Sequence, residues 1–142
     1  MTQEKENRLI AAYPHLFQNN KTNSPYSHFG VECGDGWYQL INDLCKDICE
    51  VDTRKIVRVA QIKEKFASLR FHVDIGADEE EKDVYYNRRI FNIILKYEGL
   101  SALICEQCGS TGSTATTGYW IKTMCDNCIN QSRDSDRPYR RK

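Results

Sequence analysis

Two cysteine pairs near the C-terminus constrain this chain more than any other feature. Two residues separate Cys105 from Cys108, two separate Cys125 from Cys128, and sixteen lie between the pairs. A Cys-x2-Cys segment puts two thiolates on one tight turn, where backbone amides also point at sulfur. Two such turns face to face form the tetrahedral S4 site that Zn²⁺ prefers. Gly109, directly after Cys108, suits the positive φ of such a turn. One structural Zn²⁺ per chain is therefore the expected cofactor, held by Cys105, Cys108, Cys125 and Cys128. An iron–sulfur cluster and four unrelated buried thiols are the alternatives. Four thiolates leave no position for water, which makes such a site structural rather than catalytic.

The chain has seven cysteines, an odd number that in a secreted protein would suggest disulfides and a leftover thiol. The start, Met1 to Glu6, is polar and lacks the apolar stretch of a signal peptide. A cytoplasmic, reducing location is the expectation. No uncharged apolar run approaches the roughly 20 residues of a membrane-spanning helix, so no membrane partner is expected. Cys45 and Cys49 lie one helical turn apart. A second metal site built from Cys33, Cys45 and Cys49 lacks a convincing fourth ligand, with His28 and His72 the only candidates. Packing is the simplest reading of Cys45, which lies on the apolar face of its helix.

A length of 142 residues with 40% hydrophobic and 28% charged residues fits one folded domain with a small appendage. Lys plus Arg is 20 and Asp plus Glu is 20, so the net charge is zero. Binding to nucleic acid would then need a local patch, because phosphate contacts supply most of that affinity. Residues 105–142 hold six basic and four acidic side chains. That +2 is cancelled by the −2 of a tetrathiolate zinc site. Concentrated positive charge is left to 132–142, with five basic and two acidic residues.

Periodicity places the remaining elements. Leu9, Ile10 and Tyr13 predict a short helix over 3–13, stopped by Pro14, and the polar residues 18–28 read as a loop. Trp37, Leu40, Ile41, Leu44, Cys45 and Ile48 form one face of a helix over about 36–50, with Asp35 as its N-cap. Residues 56–62 favour a strand. Leu69, Phe71, Val73 and Ile75 alternate with polar residues in a second one, and 63–68 connect the two as an antiparallel hairpin. An acidic linker, 76–83, leads into a helix over about 80–98. Tyr86, Ile90, Ile93, Ile94, Tyr97 and Leu100 mark its apolar face, Glu79 to Glu81 suit its N-terminus, and Gly99 is its expected end.

Other constellations are weaker. Gly34 to Trp37 opens a helix and has the makings of an anion site, although a tight, capped start explains it as well. Glu64, His72, Asp74 and Asp35 are the only acid–base candidates, and nothing in the sequence fixes their geometry. No catalytic residue is assigned. Asp35, Gly36, Trp37 and Trp120 are the expected ligand or partner contacts, Trp120 by stacking.

Several stretches occur together in order: Glu32-Cys33-Gly34-Asp35-Gly36-Trp37-Tyr38, Gln61 to Phe66, Leu69-Arg70-Phe71, and Cys105-x2-Cys108-Gly109 with Trp120-x4-Cys125-x2-Cys128. Over about residues 30–130 this combination resembles a family of short, uncharacterised phage and prophage proteins. Members often have Gly where this chain has Ala67 or Ser68. The resemblance implies a phage accessory protein in the bacterial host cytosol, acting by host interference or anti-defence.

The expected fold is α+β: a small antiparallel hairpin packed with amphipathic helices, and a C-terminal zinc ribbon. The expected layout is a core over 1–104, a ribbon over 105–131 packed on it, and a basic disordered tail over 132–142. The expected function is non-catalytic binding that blocks a host or anti-phage defence protein. The competing readings are nucleic-acid binding through ribbon and tail, and sequestration of a nucleotide signal at Gly34 to Trp37.

Overall fold

The computed structural model describes residues 1–18, 24–76 and 84–142, and its fold is α+β. The chain begins with α1 (Gln3–Ala12), followed by α2 (Pro25–Phe29) and the two-residue strand β1 (Val31–Glu32). A 3₁₀ turn, Asp35–Trp37, leads into α3 (Tyr38–Val51). Then come β2 (Val57–Lys65), β3 (Ser68–Ile75) and α4 (Val84–Ser101). The C-terminal part holds β4 (Ser113–Thr116), β5 (Ile121–Met124), α5 (Asp126–Gln131) and β6 (Arg140–Arg141).

The apolar stripe foreseen for α3 is buried as one face: Ile41, Leu44, Cys45 and Ile48 are inaccessible to solvent. They meet Val57, Ile62, Leu69 and Phe71 of the sheet and Ile90, Ile94 and Tyr97 of α4 in one core. Such burial is worth about 1.5–3 kcal/mol per large aliphatic side chain. The sheet has the order β1-β2-β3, with β2 and β3 antiparallel and β1 parallel to β2. Helix α2 falls in the stretch 18–28 expected to be loop, its start set by Ser24, whose side chain accepts the Ser27 amide, and by Pro25 in the first turn. Strand β1 is not foreseen, because two residues carry no alternation.

The β2–β3 connection is shorter than expected. Both strands continue through 63–68 to the pair Lys65 and Ser68, and the turn is Phe66–Ala67 alone. Both residues have positive φ, 52° and 63°. That is the requirement of a two-residue hairpin turn whose twist matches its strands, normally met by Asn or Gly. The Glu64 carboxylate accepts the Ala67 amide at 2.9 Å and holds the turn.

Strand β3 lies at the edge of its sheet, and α4 covers that edge with side chains. The Leu69 amide donates to Ser101 Oγ at 2.8 Å, and the Phe71 amide donates to Glu98 Oε1 at 3.0 Å. Helix α4 therefore runs past Gly99, its expected end, to Ser101. The Cβ position of Gly99 faces open space, so the residue weakens the helix without stopping it. The acidic start foreseen at 80–83, with Glu79 to Glu81, lies outside the described residues.

Asp52, buried beyond the end of α3, accepts the amides of Ile56 and Val57, each at 3.0 Å, and the Tyr86 hydroxyl. It fixes the α3–β2 corner and links it to α4.

The second sheet has the order β5-β4-β6, so the C-terminal tail expected to be disordered ends instead in a strand. The Arg141 guanidinium donates to the carbonyls of Ser113 and Met124, each at 2.9 Å, and pairs with Asp126. Tyr139 packs on a small cluster formed by Ala115, Met124, Ile129 and three of the cysteines. Side-chain anchoring, invisible to propensity, orders this segment.

Candidate metal centre

Cys105 and Cys108 lie on the turn that follows α4, Cys125 caps the N-terminus of α5, and Cys128 sits in the first turn of that helix. The Sγ atoms of all four fall within 4.8 Å of one another, and those of Cys108 and Cys125 are 3.5 Å apart. Tetrahedral thiolates at a Zn–S distance of about 2.3 Å would be about 3.8 Å apart, so the group fits a metal ion with little adjustment. The backbone supports the ligand turns. The Cys128 amide points at Cys125 Sγ at 3.4 Å, and the Gly109 amide donates to Cys105 O at 2.9 Å. Gly109 has φ 83°, the left-handed conformation foreseen after the first pair.

Cys105 and Cys128 are buried and Cys108 is exposed. Hydrogen bonds from the Ser110 hydroxyl and amide pull the Cys108 thiol down to about 6, while burial pushes the Cys128 thiol up. A bound dication would favour the thiolate at all four.

The other three cysteines stand apart. Burial, then the nearby Glu106 carboxylate, pushes the Cys33 thiol up to about 12. Burial raises Cys45, and burial with Asp52 raises Cys49 to about 11. None is poised as a thiolate. Among the described residues, the four-cysteine group is the only cluster of three or more ligating side chains with metal-binding geometry. Cys49 Sγ lies 3.8 Å from His15 Nε2, which is 3.5 Å from Asp52 Oδ2. Both contacts use the same ring nitrogen, so the three do not form a nucleophile relay.

The structure gives Gly34-Asp35-Gly36-Trp37 a role the sequence reading missed. This segment is the seam that docks the cysteine module onto the core. The Gly36 amide donates to Glu106 O at 2.8 Å and the Gly34 amide to Glu106 Oε1 at 3.0 Å. The Trp37 indole donates to Ile104 O at 2.8 Å. A Cβ on Gly36 would stand 2.2 Å from Cys105 O, so only glycine permits the approach. Across the module, Thr123 Oγ1 donates to Ala67 O at 2.7 Å, tying β5 to the hairpin turn.

The expected contact residues divide accordingly. Trp37 is fully buried and cannot meet a partner. Gly36 is covered by the knuckle backbone. Asp35 does not cap α3; its Oδ1 accepts the Thr2 amide at 2.7 Å, at the start of α1. The amides of Gly34, Gly36 and Trp37 are already donated, which removes the donors an anion would need there. Trp120 is 65% exposed beside β5.

The acid–base candidates have structural duties or none: Glu64 holds the hairpin turn, Asp35 caps α1, and His72 and Asp74 are exposed on β3. Glu106 and Tyr139 were missed. Glu106 lies between two ligands in Cys-Glu-Gln-Cys, and only the docking of the seam shows what its side chain touches. Among the described residues, no helix is long and apolar enough to cross a membrane. No protein-family model, curated protein or solved structure matches this chain.

Proposed function

We propose that the protein is a non-catalytic, zinc-stabilised binding protein: a phage accessory protein that engages a host or anti-phage defence protein in the bacterial cytosol and blocks it. The ion is Zn²⁺, one per chain. Four thiolates are the donor set it favours, and they close its coordination sphere against water. Its binding free energy adds to that of folding and so stiffens the module.

One observation carries the binding role. Three large aromatic side chains stand at two hairpin turns with most of their surface in water: Phe66 at 72% exposure, Tyr119 at 85% and Trp120 at 65%. Phe66 holds this position at a positive φ that a phenylalanine resists, at a cost of about 1–3 kcal/mol. Aromatic anchors on a rigid frame are the side chains that dominate protein interfaces.

The test is capture from phage-infected bacteria, with the retained proteins identified by mass spectrometry. The wild type and a Phe66→Ser, Trp120→Ser double variant are compared at equal zinc content. A protein retained by the wild type and released by the variant is the expected result. Equal retention would refute the reading. The exposed Arg140 and Lys142 favour nucleic-acid binding as the second reading. It would be supported by a complex whose affinity falls with a log–log salt slope of about −0.9 per phosphate neutralised.

A further inference from the structure

A cavity of about 390 Å³ opens beside the first ligand turn, lined by Gly34, Asp35, Glu106, Gln107, Lys122 and Tyr139 among others. Glu106 is 3% exposed. Its Oε1 accepts the Gly34 amide at 3.0 Å and the Lys122 ammonium at 3.3 Å. Its Oε2 is buried and has no hydrogen-bond partner among the described residues. A carboxylate oxygen left in that state costs about 1–3 kcal/mol or more, a penalty that a ligand donor would remove. Asp35 has spare capacity too: Oδ1 takes the Thr2 amide, whereas Oδ2 faces Lys5 Nζ 3.9 Å away among the described residues.

The ammoniums of Lys122 and Lys5 balance the two carboxylates, so the selection comes from Glu106 Oε2, an acceptor without a donor, which a cation bearing N–H groups satisfies and a phosphate does not. The wall supplied by Tyr139 suits a planar, weakly hydrated cation that stacks, more than a compact, strongly hydrated ammonium. We propose that this cavity is a receptor for a guanidinium group, with the carboxylates of Glu106 and Asp35 as its acceptors. An arginine side chain of a protein partner is the source, and that part rests on the binding role proposed above. The guanidinium site itself does not.

The experiment titrates the zinc-loaded full chain with N-acetyl-arginine amide, following the amide resonances of Gly34 and Gln107. A saturable shift is expected, together with weaker binding by at least about tenfold in Glu106→Gln, and weaker binding in Asp35→Asn, at unchanged zinc content. Both variants keep side-chain size and an acceptor for the amide each now serves. Lys122→Met removes a competing cation and is expected to tighten the complex. Absence of a saturable shift, equal affinity in Glu106→Gln, or a shift produced instead by inorganic phosphate would overturn the site. A second arm replaces the amide with a blocked peptide carrying one arginine. Tighter binding of the peptide supports the protein source. Equal binding overturns that source in favour of a small guanidinium compound. The Phe66 and Trp120 capture assay scores the wider binding role separately.

Discussion

Replacing Gly36 with alanine tests the claim that the metal module and the core are one mechanical unit. The new Cβ would lie 2.2 Å from Cys105 O and 2.6 Å from Glu106 O, both backbone atoms of the ligand turn. Neither can rotate away, so the seam must open. Opening it strains well-packed backbone, at about 1–3 kcal/mol. It also loses the 2.8 Å bond from the Gly36 amide to Glu106 O, worth about 0.5–1.5 kcal/mol. The sum is about 2–4 kcal/mol. At a urea m-value of about 2 kcal/mol/M, the unfolding midpoint should fall by about 1–2 M. Fluorescence of the buried Trp37, whose indole crosses the seam, reports the transition. Since metal affinity and folding are coupled, resistance to a zinc chelator should fall by at least about tenfold. Gly99→Ala is the control of opposite sign. Its Cβ meets nothing within 4 Å, and the helix gains about 0.8–1 kcal/mol. A Gly36→Ala protein with the wild-type midpoint and wild-type chelator resistance would refute the seam.

Further outcomes are open to direct measurement. Elemental analysis should find about one zinc per chain, lost in Cys108→Ser despite the exposure of that residue. Leu44→Ala, at the inaccessible centre of the α3 face, should cost about 2–5 kcal/mol by chemical denaturation. Asp43→Ala, on the half-buried flank of that helix, should cost about 0.5 kcal/mol. Phe66→Asn should raise stability by about 1 kcal/mol, because asparagine accepts the positive φ, while weakening capture of the partner. Cys33 stays protonated in the folded chain up to about pH 12, whereas the unfolded thiol titrates near 9.0. The folded state therefore holds the extra proton between those values, and stability should fall as pH rises through that window. Cys33→Ala should flatten the alkaline decline.

Patterns that repeat along the chain were legible, and features made by distant contacts were not. The buried face of α3 follows from six apolar residues at helical spacing. The β3 strand follows from Leu69, Phe71, Val73 and Ile75 in alternation. The four cysteines came together as their spacing implied. By contrast, Phe66–Ala67 contains neither Gly nor Asn, so nothing local marked a two-residue turn. Gly99 carries a helix-stop signal, but Glu98 and Ser101 are held in helix by their bonds to β3. The ordering of the tail depends on Arg141 reaching carbonyls 17 and 28 residues away in sequence. Gly34 and Gly36 carry the signature of a tight turn. Their real constraint, the backbone of Cys105 and Glu106, lies about 70 residues further along.

The bonds from Glu98 and Ser101 to the outer rim of β3 also restrict how other molecules meet this protein. A bare sheet rim is a template on which any extended peptide can zip itself, whatever its sequence. Here two successive outward donors, at Leu69 and Phe71, are already taken by side chains of a helix that shares the core. Foreign backbone has no foothold between Leu69 and Phe71, so neither stacking of identical copies nor indiscriminate capture of unfolded chains can start at that stretch. Recognition at that stretch is left to side chains, whose shapes and charges discriminate between partners as backbone cannot.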